Sequence, residues 1–283
     1  MTLWVKNFIK NNKVDDELYI CASLWHDLIE DHLKNERKRI DSEAIEIKAK
    51  ELKYKVTYLF DQRFIDNVFN IVKKLTKTDA QGYFDYVHQI YSGGKNLIEV
   101  ASLIKNCDMI VNCQTSHVFS YVKQIKQFLK YFKKLNIDRI YLEGKKIDSI
   151  GLKLVYYSNK ELSKVLYKSI LNSLKRYETE NQVSDEGRKV WKELALIYDK
   201  KYNGYSKITS AVTQKDIIYN PVKIFDGTIS TFKEFLDPHK SKDIRKQLEN
   251  KLKDEGKDYL ALIGLCKLAE KFYKNPKFLV KEF

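Results

Sequence analysis

Residues 15–34 read DDELYICASLWHDLIEDHLK. Leu18, Ile20, Leu24, Leu28 and Ile29 make most of an apolar stripe at helical spacing, and acidic residues fill the first turn, where the helix dipole favours them. The stretch predicts one amphipathic helix. On that helix His26 and Glu30 stand one turn apart, as do Asp27 and Asp31, so an imidazole and three carboxylates crowd one side. Such a cluster is costly unless something compensates its charge. A divalent cation is the natural compensation: neutral imidazole plus carboxylate oxygens suit Mn²⁺, Fe²⁺ or Mg²⁺, and a bound ion can lower the pKa of a water and neutralise a developing phosphate charge. The competing reading is an exposed acidic helix with a histidine placed by chance.

Outward from this stretch, helical periodicity recurs. A charged helix is expected over 41–56, an amphipathic one over 62–76 (Phe64, Ile65, Val68, Phe69, Val72, Leu75) and a short one over 79–91. Ser92-Gly93-Gly94 is a break, followed by helices over 95–113 and 117–135. The segment 138–158, with two glycines and several β-branched residues, reads as a loop or short hairpin. Further helices are expected near 160–178, 185–202, 241–254 and 257–273, with Asn220-Pro221 and Asp237-Pro238 breaking the chain between them. Ten glycines and three prolines are few for 283 residues, which favours an all-α or nearly all-α fold. The change of texture divides the chain into a region over 1–136 and a mostly helical region over 150–283.

A second string carries chemistry. In LIKNCDMIVN (103–112), Asp108 stands in an otherwise mainly apolar helix. Aspartate is a poor helix-interior residue and expensive to bury unless paired or bound to a cation. Lys105 lies one turn before it and Asn112 one turn after, so the three share a face. An ordinary half-buried Lys105–Asp108 ion pair explains this string equally simply.

Taken together, these residues resemble the hydrolase domain of RelA/SpoT homologues, whose fold is an HD-type helical bundle. That family carries H-D-x-x-E-D on one helix, matched here from His26 to Asp31; a helix leading to a T-K string, matched by IVKKLTK at 71–77; and K-x-x-D-x-x-x-N followed closely by Thr, matched by Lys105, Asp108, Asn112 and Thr115. The agreement runs over about residues 14–135. The resemblance implies that His26, Asp27 and Asp108 are metal ligands, with Mn²⁺ the usual ion and Mg²⁺ or Fe²⁺ as substitutes. It implies that Glu30 and Asp31 position and activate the attacking water, and that Lys105, Asn112 and Thr115 contact the nucleotide. The implied reaction removes pyrophosphate from the 3′ position of (p)ppGpp or a related phosphorylated nucleotide by direct attack of water, without a covalent intermediate.

The chain departs from the family in one respect. The family's metal site takes a further histidine from an earlier helix, and no histidine precedes His26 here. His32, His88, His117 and His239 do not occupy equivalent places. Two expectations compete: the domain lacks its first helix, or it is a catalytically inactive module that binds a nucleotide or a protein partner.

A net charge of +14 raises a third possibility, a basic nucleic-acid-associated protein. The excess is spread, with 22 basic and 17 acidic residues over 1–135 and 30 basic and 21 acidic over 136–283. Only seven of the 52 basic residues are arginine, the residue best suited to bidentate phosphate contacts, so composition argues against nucleic acid as the partner. No apolar run is long enough for a bilayer, which argues against a membrane partner, and Lys6 and Lys10 interrupt the apolar start, unlike a signal peptide. Cys21, Cys107, Cys113 and Cys266 are scattered without ligand spacing, as expected of reduced thiols in a cytoplasmic protein. In the second region DKKYNGYS (199–206) faintly resembles the N-G-Y-x-S string of alarmone synthetases, without their other signatures.

Overall fold

The computed structural model describes residues 1–12, 17–143, 145–189, 191, 192 and 256–274. The expected helices near 185–202 and 241–254 fall wholly or mostly outside these residues. So do the proline breaks at 221 and 238, the string 199–206 and His239. The fold is all-α: the described residues contain no strand. Its helices are α1 Thr2–Asn12, α2 Glu17–Leu24, α3 Leu28–Asn35, α4 Ser42–Val56, α5 Gln62–Leu75, α6 Tyr83–Ile90, α7 Lys95–Gln114, a 3₁₀ turn Ser116–Val118, α8 Tyr121–Leu142, α9 Ile150–Glu180 and α10 Gly256–Lys274.

Two expectations are corrected. The single helix over 15–34 is two, because the chain turns at Trp25–Asp27. Trp25 N–H still reaches back to Cys21 O (3.1 Å), but Leu28 N–H closes onto Trp25 O (2.9 Å), and the ladder restarts with Asp31 N–H on Asp27 O (2.8 Å). Tertiary packing outweighs local propensity here: the Trp25 ring lies against Phe69 of α5 (centroids 5.8 Å) and edge-on to Phe60 (6.1 Å). The segment 138–158 is not a hairpin either. α8 runs on to Leu142 and α9 begins at Ile150, because Ile137, Leu142, Leu152, Leu154 and Val155 are all buried, at helical rather than alternating spacing.

The described residues fall into two compact units, Met1–Asn112 with Ile137–Leu162, and Cys113–Asn136 with the described residues from Ser163 onward. The chain thus crosses between them inside α7, α8 and α9, and 137–162 returns to the first unit. In the first unit α5 is the hub, packing on α2, α3, α4 and α6. Its face of Ile65, Val68, Phe69, Val72 and Leu75 is buried, each side chain contributing roughly 1.5–3 kcal/mol. Asp61 starts α5 by accepting from the backbone N–H of Arg63 and Phe64, and Asp41 starts α4 by accepting from Ala44. Asp79 clamps the connections together, its carboxylate accepting from Ile40 N–H (2.9 Å) while its own N–H donates to Ile40 O (2.8 Å). The second unit has an aromatic core in which Tyr259 stacks on Tyr177 (5.1 Å), meets Trp191 edge-on (5.6 Å) and donates its hydroxyl to Glu178 (2.8 Å).

Candidate active site

His26 and Asp27 sit in the turn between α2 and α3, not on a helix face. His26 Nδ1 lies 3.1 Å from Ser23 O, and its Nε2 lies 2.7 Å from an Asp27 carboxylate oxygen. With the Nδ1 proton given to the carbonyl, Nε2 and the carboxylate face one another across the opening of the turn. Burial works against a charged His26 ring, but the hydrogen bond and charge of Asp27, with the more distant charge of Asp108, outweigh it and hold the pKa above the ordinary histidine value. Asp27 is the mirror case: burial opposes its charge, and His26, Lys105 and Lys34 outweigh it, holding the carboxyl below its ordinary value.

Glu30 and Asp31 occupy the first turn of α3, where negative charge is favoured. Glu30 is paired with Lys34, one turn on, and Lys34 also feels Asp31 and Asp27. This lysine was not singled out from the sequence, although the Glu30-to-Lys34 spacing is the favourable orientation for a helical ion pair.

Opposite this turn, α7 contributes Lys105, Asp108 and Asn112. Asp108 accepts from Lys105 Nζ (2.8 Å) on one oxygen and from Asn112 Nδ2 (2.9 Å) on the other. Lys105 Nζ also stands 5.5 Å from the centroid of the Tyr86 ring. Burial opposes the Lys105 charge, and Tyr86 and Asp108 more than offset it, so the ammonium is held well above its ordinary pKa. Tyr86, missed in the sequence, is pinned by donating its hydroxyl to Leu75 O (2.7 Å) at the end of α5. The T-K string has a structural use: Thr76 donates to Val72 O (2.9 Å), and Lys74 nearby donates to the backbone carbonyls of Gln89, in the last turn of α6, and of Ser92 beyond it.

The structure therefore brings His26, Asp27, Lys105 and Asp108 into mutual electrostatic range, with Asn112 bonded to Asp108. Thr115 is exposed at the end of α7 and belongs to the second unit. Among the described residues no three His, Cys, Asp or Glu side chains gather closely enough to hold a metal ion. His26 Nε2 and Asp27 suit a divalent cation as a pair. Asp108 does not suit it as placed, because Lys105 already supplies the cation it faces. Of the other histidines, His88 is exposed on α6, and His117 lies in the 3₁₀ turn of the second unit, its Nδ1 3.2 Å from Gln114 O. No protein-family model, no curated protein and no solved structure matches this chain.

Proposed function

We propose that this chain is an HD-type, Mn²⁺-dependent phosphohydrolase that removes pyrophosphate from (p)ppGpp or a related phosphorylated nucleotide. The observation that carries the reading is the meeting of two distant strings. Asp108 and Lys105 of α7 both act on His26, and Lys105 acts on Asp27, as the resemblance requires of its two motifs. When bound, the ion supplies a water of lowered pKa. His26 is prepared to hold it, since the Ser23 carbonyl orients the ring and leaves Nε2 directed at Asp27. Asp108 would complete the set by exchanging the Lys105 ammonium for the ion. Lys105 would then be released to meet substrate phosphate beside Asn112, with Thr115 as the remaining nucleotide contact. Glu30 and Asp31, on the solvent side of α3, would orient the attacking water and take its proton.

A second reading, an inactive module that binds a nucleotide or protein, has its own support: Asp108 and Glu30 are both engaged by lysines. Pyrophosphate release from ppGpp with added Mn²⁺ separates the two. Asp108→Ala should abolish Mn²⁺ binding, whereas Glu30→Ala should spare it and reduce turnover about 10²-fold or more. Mn²⁺ binding without turnover would favour the second reading, and unchanged metal affinity and activity in Asp108→Ala would sink the site assignment.

A further inference from the structure

A cleft of about 510 Å³ opens in the first unit, within the range of small-molecule sites. It is built from the turn before α7, the end of α8, and the connection into α9. Three ammonium groups border it, Lys95, Lys145 and Lys146, against one bordering carboxylate, Asp148. Two long helices, α7 and α9, begin at its edge (Gly93 and Lys95 for one, Asp148 and Leu152 for the other), so their positive ends add to the same field. Ile98 and Leu152 supply an apolar floor, and Tyr141 an aromatic wall.

The charges here are poorly compensated within the protein. Lys145 lies over the Tyr141 ring, 3.2 Å from its centroid, rather than against an acid. The nearest buried carboxylate, Glu99, stands 4.0 Å from Lys95 Nζ, and that oxygen of Glu99 has no hydrogen-bond partner. Its place is fixed by backbone: Glu99 packs directly over Gly151, where any Cβ would overlap its carboxyl. Burial lowers the Lys145 pKa, with Glu99 partly restoring it and Lys95 lowering it further, so an incoming anion would stabilise the Lys145 ammonium.

We propose that this cleft is a binding site for the phosphate group of a small phosphorylated molecule, separate from the His26–Asp108 cluster and independent of its reading. Phosphate is favoured over a simple carboxylate because three ammonium donors converge from two sides, and a tetrahedral dianion can accept from all of them at once. Lysines serve such a site as compact point charges.

The test is calorimetric titration with inorganic pyrophosphate, in EDTA so that no divalent ion can recruit the probe elsewhere. Saturable one-to-one binding is expected. It should weaken about tenfold or more in Lys145→Ala/Lys146→Ala, which removes two charge-assisted contacts. It should stay unchanged in Lys6→Ala/Lys10→Ala, which removes the same charge from the exposed side of α1. No saturable binding, or equal weakening in both lysine pairs, overturns the proposal, since general charge would then explain the effect.

Discussion

Asp138 is fully buried on α8, where it accepts from the Ser102 hydroxyl (3.2 Å), which itself meets the Tyr91 hydroxyl (3.0 Å). Burial pushes its carboxyl well above the usual carboxylate range, against a hydrogen bond from Asn159. In the unfolded chain the group ionises near about pH 3.9. Above that pH the folded chain therefore holds more protons than the unfolded one, and stability falls as pH rises through the folded pKa. Asp138→Asn keeps the shape and a donor and removes the titration. Its stability relative to the parent should improve steadily from about pH 4 to 8 in urea midpoints; a difference independent of pH would show that Asp138 is ionised in the fold. Nothing in the sequence marked this residue, since one Asp in a Lys-rich helix reads as surface. The candidate site was legible at this scale through residue types and spacing: the Lys105–Asp108–Asn112 face forms as the i, i+3, i+4 geometry dictates. The engagement of Glu30 by Lys34 follows the same rule. The pairing of His26 with Asp27, adjacent residues, was not legible, because on an uninterrupted helix neighbours point about 100° apart.

At the level of elements, α4, α5 and α7 fall within a residue or two of the limits expected from periodicity, whereas α1 was not expected and α8 and α9 run well beyond their expected ends. The failures share a cause. At Trp25 and over 138–158, long-range packing decided what local composition could not. The glycine that helped suggest a hairpin, Gly151, is instead needed inside α9 because Glu99 of α7 packs against it. Gly151→Ala should destabilise by about 1–3 kcal/mol through overpacking. The double-mutant cycle with Glu99→Ala tests the cause: with the carboxyl gone the clash is gone, so the two effects should couple by about 1 kcal/mol or more. Additive effects from chemical denaturation of the four proteins would place the role of Gly151 elsewhere.

For the molecule as a whole, the four thiols report on the two units. Cys107 and Cys113 are 0% and 1% exposed, and burial pushes both thiols far up, so neither offers a thiolate. Cys21 and Cys266 are partly exposed, with burial raising the first and pushing the second up to about 11. Titration of the native protein with an aromatic disulfide reagent at pH 8 should count two slow thiols, rising to four in denaturant. Three or four reacting natively would mean that the α7 core opens readily. No described helix is long and apolar enough to cross a membrane.

By itself the sequence determined the all-α class, the limits of α4, α5, α7 and α10 and the residue types of the candidate site, because these rest on periodicity and on spacings within one helix. Only the tertiary structure decided the rest. It turned the chain at Trp25, set the return of 137–162 to the first unit, and gave Asp108 to Lys105 rather than to a gathered ligand set. It also brought Lys95 together with Lys145 and Lys146 around one cleft. Each of these is a contact between segments distant in sequence, and the spacing of residues along a chain carries no record of which distant side chain will supply the compensating charge or the packing surface.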